Sequence, residues 1–103
     1  MENTKIKTLR RIAHHLDSVV SVGDAGVTDG VVAETQRALD DHELIKVRLH
    51  TADRAERAKE TEQLAQACDA RVIQKIGKIA VLFKPNPDAN PKLSNLHRFS
   101  GGG

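Results

Sequence analysis

The stretch "SVVSVGDAGVTDGVV", residues 18–32, predicts the beginning of an α/β fold. Residues 18–22 are rich in valine, as is typical of a short strand, and Gly23 ends that run. Thr28 is a favoured helix cap, and Asp29 follows in the first turn, where the positive end of the helix dipole stabilises a carboxylate. The stretch therefore predicts a strand, a glycine loop and a helix in immediate succession.

The residues on either side predict two more helices and three more strands. Apolar residues recur at helical spacing from Thr4 to Leu16, with lysines and arginines between them, so an amphipathic helix comes first. Residues 43–50, "ELIKVRLH", alternate as a half-buried strand does. Residues 53–68 form a breaker-free third helix, whose predicted apolar side carries Ala55, Ala58, Thr61, Leu64, Ala65 and Cys68. "RVIQKI" and "KIAVLFK" predict two strands joined at Gly77-Lys78, of which the second is apolar on both faces and therefore central. The predicted order is α-β-α-β-α-β-β.

The length of the chain, 103 residues, suits one compact domain. Three prolines, at positions 85, 87 and 91, follow the last predicted strand. Proline cannot donate to a sheet ladder, and it biases the preceding residue towards extended backbone. We therefore expect a domain over residues 1–85 and a flexible tail over residues 86–103.

The composition argues against several classes of protein. With Phe83 and Phe99 as the only aromatic residues, the chain lacks the paired stacking rings of the commonest RNA-recognition sheets. A single cysteine, Cys68, fits a reducing compartment, and no apolar run is long enough for a membrane span, so we expect a cytoplasmic protein. The histidines show no ligand spacing with Cys68, and no paired carboxylates or P-loop pattern indicate catalysis. We expect no metal, cofactor, small-molecule substrate or enzymatic activity.

The glycine loop, Gly23-Asp24-Ala25-Gly26, has two interpretations. Glycine is common in ordinary strand-to-helix turns. It also lets an RNA backbone approach closely, while the N–H groups of the following helix face the phosphate. Asp24 opposes the second interpretation, because a carboxylate about 6 Å from a phosphate is repelled by roughly 0.7 kcal/mol in water and about 2.8 kcal/mol at an effective dielectric of 20. RNA binding would then require that Asp24 point outward or that cations elsewhere supply the attraction.

Positive charge gathers on the predicted strands. Residues 71–84 contain no acidic residue, whereas residues 23–42 are acidic overall. The simplest interpretation is a solvated sheet surface, because exposed strands need charge to resist edge pairing. The alternative is a surface that contacts RNA phosphates, formed by Lys46, Arg48, Lys75, Lys78 and Lys84.

Three pieces of the sequence resemble one known family: the glycine loop followed by "VTDGV", the run "ALDDHELIKV" at residues 38–47 and "IGKIAVLFKP" at residues 76–85. From about Lys5 to Pro85 the chain resembles the CRM domain, the chloroplast RNA splicing and ribosome maturation domain, in its small single-domain YhbY-like form. The resemblance implies a mixed four-stranded sheet packed with helices and a relation to KH domains and to the C-terminal domain of translation initiation factor three. It also implies RNA binding.

For free-standing members, the resemblance implies association with precursors of the large ribosomal subunit. The expected function is therefore binding of ribosomal RNA in those precursors through Gly23, Asp24, Ala25, Gly26 and the five strand cations. The alternative is a protein-interaction module of the same fold that docks ribosomal proteins or assembly factors through its acidic second and third helices. Salt dependence separates the two, because phosphate binding weakens with a log–log slope of about −0.7 per single-strand phosphate contacted.

Overall fold

In the part of the chain that the structure describes, the fold is α/β, with the three helices α1 to α3 and a mixed four-stranded sheet, as the sequence predicts. This computed structural model describes residues 3–96, with side chains from Lys5 onward. The elements follow one another in the predicted order: α1 (Asn3–Ala13), β1 (Ser18–Val22), α2 (Asp29–His42), β2 (Leu44–Leu49), α3 (Arg54–Ala67), β3 (Arg71–Ile76) and β4 (Ile79–Phe83).

The strands are arranged in the order β1-β2-β4-β3. β1 is parallel to β2, and β4 pairs antiparallel with both β2 and β3. The predicted central position of β4 is confirmed, and Ala80, Val81 and Leu82 are buried there. This topology brings the carboxyl ends of β1, β2 and β3 and the amino end of β4 to one end of the sheet. We call it the hairpin end, after the β3–β4 turn at Gly77-Lys78.

Two apolar clusters cover the two faces of the sheet. Alternation along β2 directs Ile45, Val47 and Leu49 into one cluster, where they meet Leu39 of α2 and Leu64 of α3. The second cluster lies between α1 and the opposite face and contains Leu9, Ile12, Ala13, Leu44, Ile73, Val81 and Phe83. The helices therefore form a layer on each side of the sheet, with α1 on one side and α2 and α3 on the other.

Local capping determines where α2 and α3 begin. The Thr28 hydroxyl accepts a hydrogen bond from the Val31 N–H at 3.2 Å, which confirms the predicted cap of α2. Asp53 caps α3 in the same way, through the N–H groups of Ala55 and Glu56. Both caps follow directly from residue types that satisfy the unpaired donors of a first helical turn.

The buried face of α3 differs from the predicted one near its beginning. Periodicity predicts that Ala55 is buried, yet Ala55 is exposed and Glu60 is buried. Further along, Thr61 and Leu64 are buried as predicted. The reason is that the glycine loop lies against the Glu60 side of the helix, which covers a carboxylate that a purely apolar pattern places in solvent.

Residues 86–96 pack against the domain, in contrast to the flexible tail that the sequence predicts. The fully buried Ser94 hydroxyl donates to Glu43 Oε2 at 2.5 Å, and Asn95 Nδ2 donates to the Leu44 carbonyl at 2.6 Å. Glu43 is itself 5% exposed and has a positive φ of 62°. This segment is therefore held at the start of β2, at the end of the sheet opposite the hairpin.

The packing of this segment rests on polar contacts that leave no periodic apolar pattern. The Asn86 N–H donates to Glu43 Oε1 at 2.7 Å, so both oxygens of this buried carboxylate accept hydrogen bonds from the segment. Leu96 adds one apolar contact with the cluster beneath α1. Residues 97–103 of the predicted tail lie outside the described residues.

Candidate nucleic-acid interface

The glycine loop is a tight turn on the surface that joins β1 to α2. The Gly26 N–H donates to the Gly23 carbonyl at 3.0 Å, and Gly26 has a φ of 75°, which glycine adopts more easily than other residues. Gly23 itself is exposed, and its φ is not positive. Because the turn uses the Gly26 N–H, that group is not available to a phosphate.

A cleft of about 450 Å³ opens between the glycine loop and the connection from β2 to α3. We call it the glycine-loop cleft; it is lined by Gly23, Asp24, Ala25, Gly26, His50, Thr51, Ala52, Glu56 and Glu60. Asp24 is one of three carboxylates in this lining, and no lysine or arginine is among the lining residues. A phosphate placed in the cleft would meet net repulsion, so the simple phosphate-cradle interpretation of the loop does not fit its surroundings.

Glu60 is the buried member of the three carboxylates. It is 6% exposed, and its Oε1 accepts no hydrogen bond from any residue in the described part of the chain. Burial raises the pKa of this carboxyl, and the neighbouring charge of Glu56 raises it further. Gly26 faces it closely, since a Cβ on Gly26 would lie 3.4 Å from Glu60 Oε2.

The predicted strand cations divide between the two faces of the sheet. Lys46 pairs with Val81 and Arg48 with Ile79, which places both on the face that carries α1. Lys75 pairs with Ala80, which belongs to the cluster on the opposite face. The three residues therefore do not form one continuous strand surface, although Arg48 and Lys75 both lie near the hairpin end.

A second cleft, of about 460 Å³, lies between α3 and the β3–β4 hairpin. We call it the basic cleft; it is lined by Leu49, Arg54, Arg57, Ala58, Thr61, Lys75, Gly77 and Ile79, none of them acidic. Arg57 Nη1 is oriented by hydrogen bonds to the carbonyls of Thr51 at 3.1 Å and Ala52 at 2.8 Å. The cleft thus presents two guanidinium groups and one ammonium group in a concave surface.

Five cations among residues 3–96 surround this end of the sheet. Lys78 lies in the exposed hairpin turn, and its carbonyl accepts a hydrogen bond from the Leu49 N–H at 2.8 Å, beside Arg48. We call the set the basic end; it consists of Arg48, Arg54, Arg57, Lys75 and Lys78. The glycine loop lies at the same end of the sheet, because β1 runs parallel to β2 and the Val22 carbonyl accepts from the His50 N–H at 3.0 Å.

Lys84 lies apart from the other predicted cations. Its N–H donates to the Glu43 carbonyl at 2.9 Å, at the start of β2, so it is at the end of the sheet opposite the hairpin. It is half-buried there beside Cys68, whose pKa is raised by burial and lowered to a smaller degree by the Lys84 charge. The basic end and Lys84 therefore belong to different regions of the surface.

Sequence reasoning missed Arg54, Arg57 and Glu60. The signal for the two arginines is their spacing of three residues, which places them on the same side of α3. Glu56 and Glu60, four residues apart, lie on another side in the same way. The first turns of α3 therefore separate a basic cleft from an acidic one.

Within residues 3–96, no group of three or more histidine, cysteine, aspartate or glutamate residues could hold a metal ion. Over the same range, no helix has the length and apolar character needed to cross a membrane.

Known proteins resemble this chain in sequence and in fold. It is 44% identical to a probable RNA-binding protein of Pseudomonas aeruginosa over 92% of this chain and 91% of that protein. It is 41% identical to an RNA-binding protein of Haemophilus influenzae over 82% of this chain and 86% of that protein. The solution structure of the Staphylococcus aureus protein SAV1595 matches with a TM-score of 0.76 at 22% identity, over 87% of this chain and 94% of the other.

The structural likeness concerns the fold alone, and it agrees with the three helices and mixed sheet described above. The family follows from the sequence comparison. The model of the CRS1/YhbY (CRM) domain matches residues 1–84. The match covers most of the chain, and the chain therefore belongs to the CRS1/YhbY (CRM) domain family.

Proposed function

We propose that this protein binds RNA through its basic end and that its target is ribosomal RNA in precursors of the large ribosomal subunit. The observation that carries the proposal is the basic cleft, where Arg54, Arg57 and Lys75 line one concavity without an acidic neighbour in its lining. Two relatives with more than 80% coverage of this chain are named as RNA-binding proteins, which supports RNA as the partner.

The chemistry of the basic cleft suits phosphates better than base edges. Guanidinium groups offer paired N–H donors that match the geometry of phosphate oxygens, and they stay charged at any physiological pH. Arg57 is already oriented by two carbonyls, so less conformational entropy is lost when it contacts a ligand. We therefore propose that the basic end holds the RNA backbone and positions it by charge and shape.

The sequence-predicted site residues take different parts in this proposal. Arg48, Lys75 and Lys78 contact phosphates directly, and Lys46 extends the positive surface along β2. The glycine loop lets the RNA approach the protein closely but binds no phosphate, because its own cleft is acidic and Asp24 lies in that lining. Lys84 lies at the opposite end of the sheet, so its charge reversal is a control for charge reversals at the basic end.

Crosslinking in cells tests the target. Ultraviolet crosslinking of the full chain, followed by sequencing of the attached RNA, is expected to yield large-subunit ribosomal RNA. Sucrose-gradient sedimentation is expected to place the protein with incomplete large subunits and not with translating ribosomes. Crosslinks to other RNAs alone would contradict the ribosomal target, while sedimentation with precursors without any RNA crosslink would favour the protein-docking alternative.

A further inference from the structure

We propose that the glycine-loop cleft binds an unpaired guanine base, with the Glu60 carboxylate accepting hydrogen bonds from guanine N1–H and N2–H₂. This inference rests on the proposed RNA-binding function and adds a base-specific contact to it. The basic cleft and the glycine-loop cleft flank the same helical turns of α3, so one RNA segment has access to both.

The unpartnered oxygen of Glu60 is the first observation that points to a ligand. Buried carboxylate oxygens are normally hydrogen-bonded, because burying them without a partner is unfavourable. Glu60 Oε1 has no such partner within the described residues, and Glu60 forms part of the cleft wall. Oε1 itself is enclosed, so the carboxylate has to turn about its terminal side-chain torsion, which is soft, before both oxygens face a ligand in the cleft. A ligand that brings N–H donors into the cleft would satisfy this group, whereas a phosphate brings only acceptors.

The charge of the surroundings favours a neutral donor over a cationic one. Asp24, Glu56 and Glu60 would attract a lysine or arginine side chain from a protein. The adjacent basic end, however, would repel a cationic peptide and attract a polyanion. RNA meets both demands, because its phosphates are negative while the Watson–Crick edge of guanine presents neutral N–H donors.

The shape and lining of the cleft also suit a base. Its volume of about 450 Å³ is larger than a purine ring system, and His50 supplies a ring of the kind on which unpaired bases stack. Phe83, the phenylalanine that lies within residues 3–96, is 3% exposed and is not available for stacking. Gly26 leaves open the space next to the carboxylate that a side chain would occupy.

The identity of the base follows from its donor pattern. Guanine has two adjacent donors on its Watson–Crick edge, N1–H and N2–H₂, which match the two oxygens of one carboxylate. Adenine and cytosine each have a single amino group beside an acceptor nitrogen, and uracil has one N–H between two carbonyls. A carboxylate therefore pairs best with guanine and is repelled by the acceptors of the others.

The test is binding to single-stranded 12-nucleotide RNAs that contain uridine at all positions but one. The central nucleotide is guanosine, inosine, adenosine, cytidine or uridine, and fluorescence anisotropy gives Kd for each. We expect the RNA with a central guanosine to bind about 5- to 150-fold more tightly than the all-uridine RNA. This ratio corresponds to about 1–3 kcal/mol for a bidentate pair. Inosine, which keeps N1–H but lacks the amino group, is expected to fall between them.

Glu60→Gln and Glu56→Gln form a matched pair of variants, since each removes one carboxylate charge from the same cleft. Glu60→Gln is expected to lose the guanosine preference while keeping the affinity for the all-uridine RNA. Glu56→Gln is expected to keep the preference. In the wild type, the guanosine RNA is expected to shift the amide resonances of Gly23 and Gly26 more than the all-uridine RNA does.

Three results would overturn the inference. Equal binding of all five RNAs by the wild type would remove the base contact while leaving RNA binding intact. A preference that survives in folded Glu60→Gln, or that both variants lose equally, would show that the carboxylate pair with guanine does not exist. A shift of Gly23 and Gly26 by arginine amide but not by the guanosine RNA would assign the cleft to a protein partner. Absence of any RNA binding, by contrast, would reject the proposed function itself.

Discussion

Gly26 and Gly23 occupy the two ends of the same loop, yet the backbone requires only one of them to be glycine. Gly26 has a φ of 75°, and its added Cβ would lie 3.4 Å from Glu60 Oε2, whereas a Cβ on Gly23 would meet nothing within 4 Å. We expect Gly26→Ala to lower the free energy of unfolding by about 1–2 kcal/mol because a Cβ is strained at positive φ. Gly23→Ala is the control and is expected to change it by less than about 0.5 kcal/mol.

Urea denaturation monitored by circular dichroism measures both glycine variants. An equal loss of stability in the two variants would show that the loop conformation in solution differs from the one described here. Gly26→Ala is also expected to weaken the guanosine preference, because the added methyl group occupies space beside the Glu60 carboxylate.

Glu60 gives stability a specific pH dependence. Burial raises its folded pKa above the ordinary value of 4.5, so ionisation opposes folding once the pH rises above that value. Glu60→Gln removes this opposition, and we expect it to stabilise the protein at pH 7 by on the order of 1 kcal/mol, or roughly 4–8 °C in Tm. As the pH falls through 4.5, the carboxyl becomes protonated in the unfolded state as well, and the gain is expected to disappear.

Calorimetry of wild type and Glu60→Gln between pH 4 and pH 8 measures this difference in Tm. Glu62→Gln, at an exposed position on the same helix, controls for the general effect of removing one negative charge. A difference that grows as the pH falls would have the wrong sign for a buried carboxyl with a raised pKa.

The sequence identifies the glycine loop and Asp24 as important but does not identify Glu60. A glutamate in the middle of a polar helix looks like any solvated side chain, because burial depends on which loop packs over it. The sequence does not distinguish the two arginines of the basic cleft from ordinary solvated side chains, for the same reason. Their spacing places them on one side of α3, but only the fold brings Lys75 opposite them.

At the scale of elements, β1 and β3 match the predicted segments, β2 and β4 are each one residue shorter at both ends, and Thr28 caps α2 as predicted. These features follow from local physics, namely strand alternation, glycine between strands and hydroxyl capping of a first turn. The packing of residues 86–96 is not local, since it depends on Glu43, which is some 50 residues earlier in the chain. No periodic pattern within the segment itself reports such a contact.

Ser94 tests how firmly this segment is held. Its hydroxyl donates to the buried carboxylate of Glu43, so Ser94→Ala leaves an unpaired buried oxygen. We expect a loss of about 1–3 kcal/mol in the free energy of unfolding. Ser21→Ala, at an exposed position on β1, is expected to change stability by less than about 0.5 kcal/mol.

Thermal denaturation of the two serine variants gives the comparison, and Glu43→Gln combined with Ser94→Ala completes a double-mutant cycle. A coupling energy of at least about 0.5 kcal/mol is expected for directly bonded side chains. Additive effects would mean that the segment does not pack on Glu43 in solution, as the proline-rich sequence alone predicts.

At the scale of the whole molecule, the cations are divided between the two ends of the sheet. The basic end faces RNA in our proposal, while Lys84 and Lys92 lie in the region around Glu43 at the other end. The formal net charge of +2 conceals this separation, because it averages over both ends and over the acidic glycine-loop cleft. Such an average says little about a partner, whereas the local arrangement of cations determines where a polyanion binds.

The central claim, that RNA phosphates bind at the basic end, is tested most directly by RNA affinity at several salt concentrations. Arg54→Glu/Lys75→Glu reverses two charges in the basic cleft, and Lys84→Glu/Lys92→Glu reverses two at the opposite end. Both variants are first shown to be folded by circular dichroism. Kd for a large-subunit RNA fragment is then measured between roughly 50 and 200 mM salt, a range over which affinity that depends on phosphate contacts falls steeply. We predict at least a tenfold weaker Kd for Arg54→Glu/Lys75→Glu, with a log–log slope shallower by about 0.7 per lost contact, and a much smaller change for Lys84→Glu/Lys92→Glu. Equal weakening by the two variants, or no weakening by Arg54→Glu/Lys75→Glu, would contradict the account.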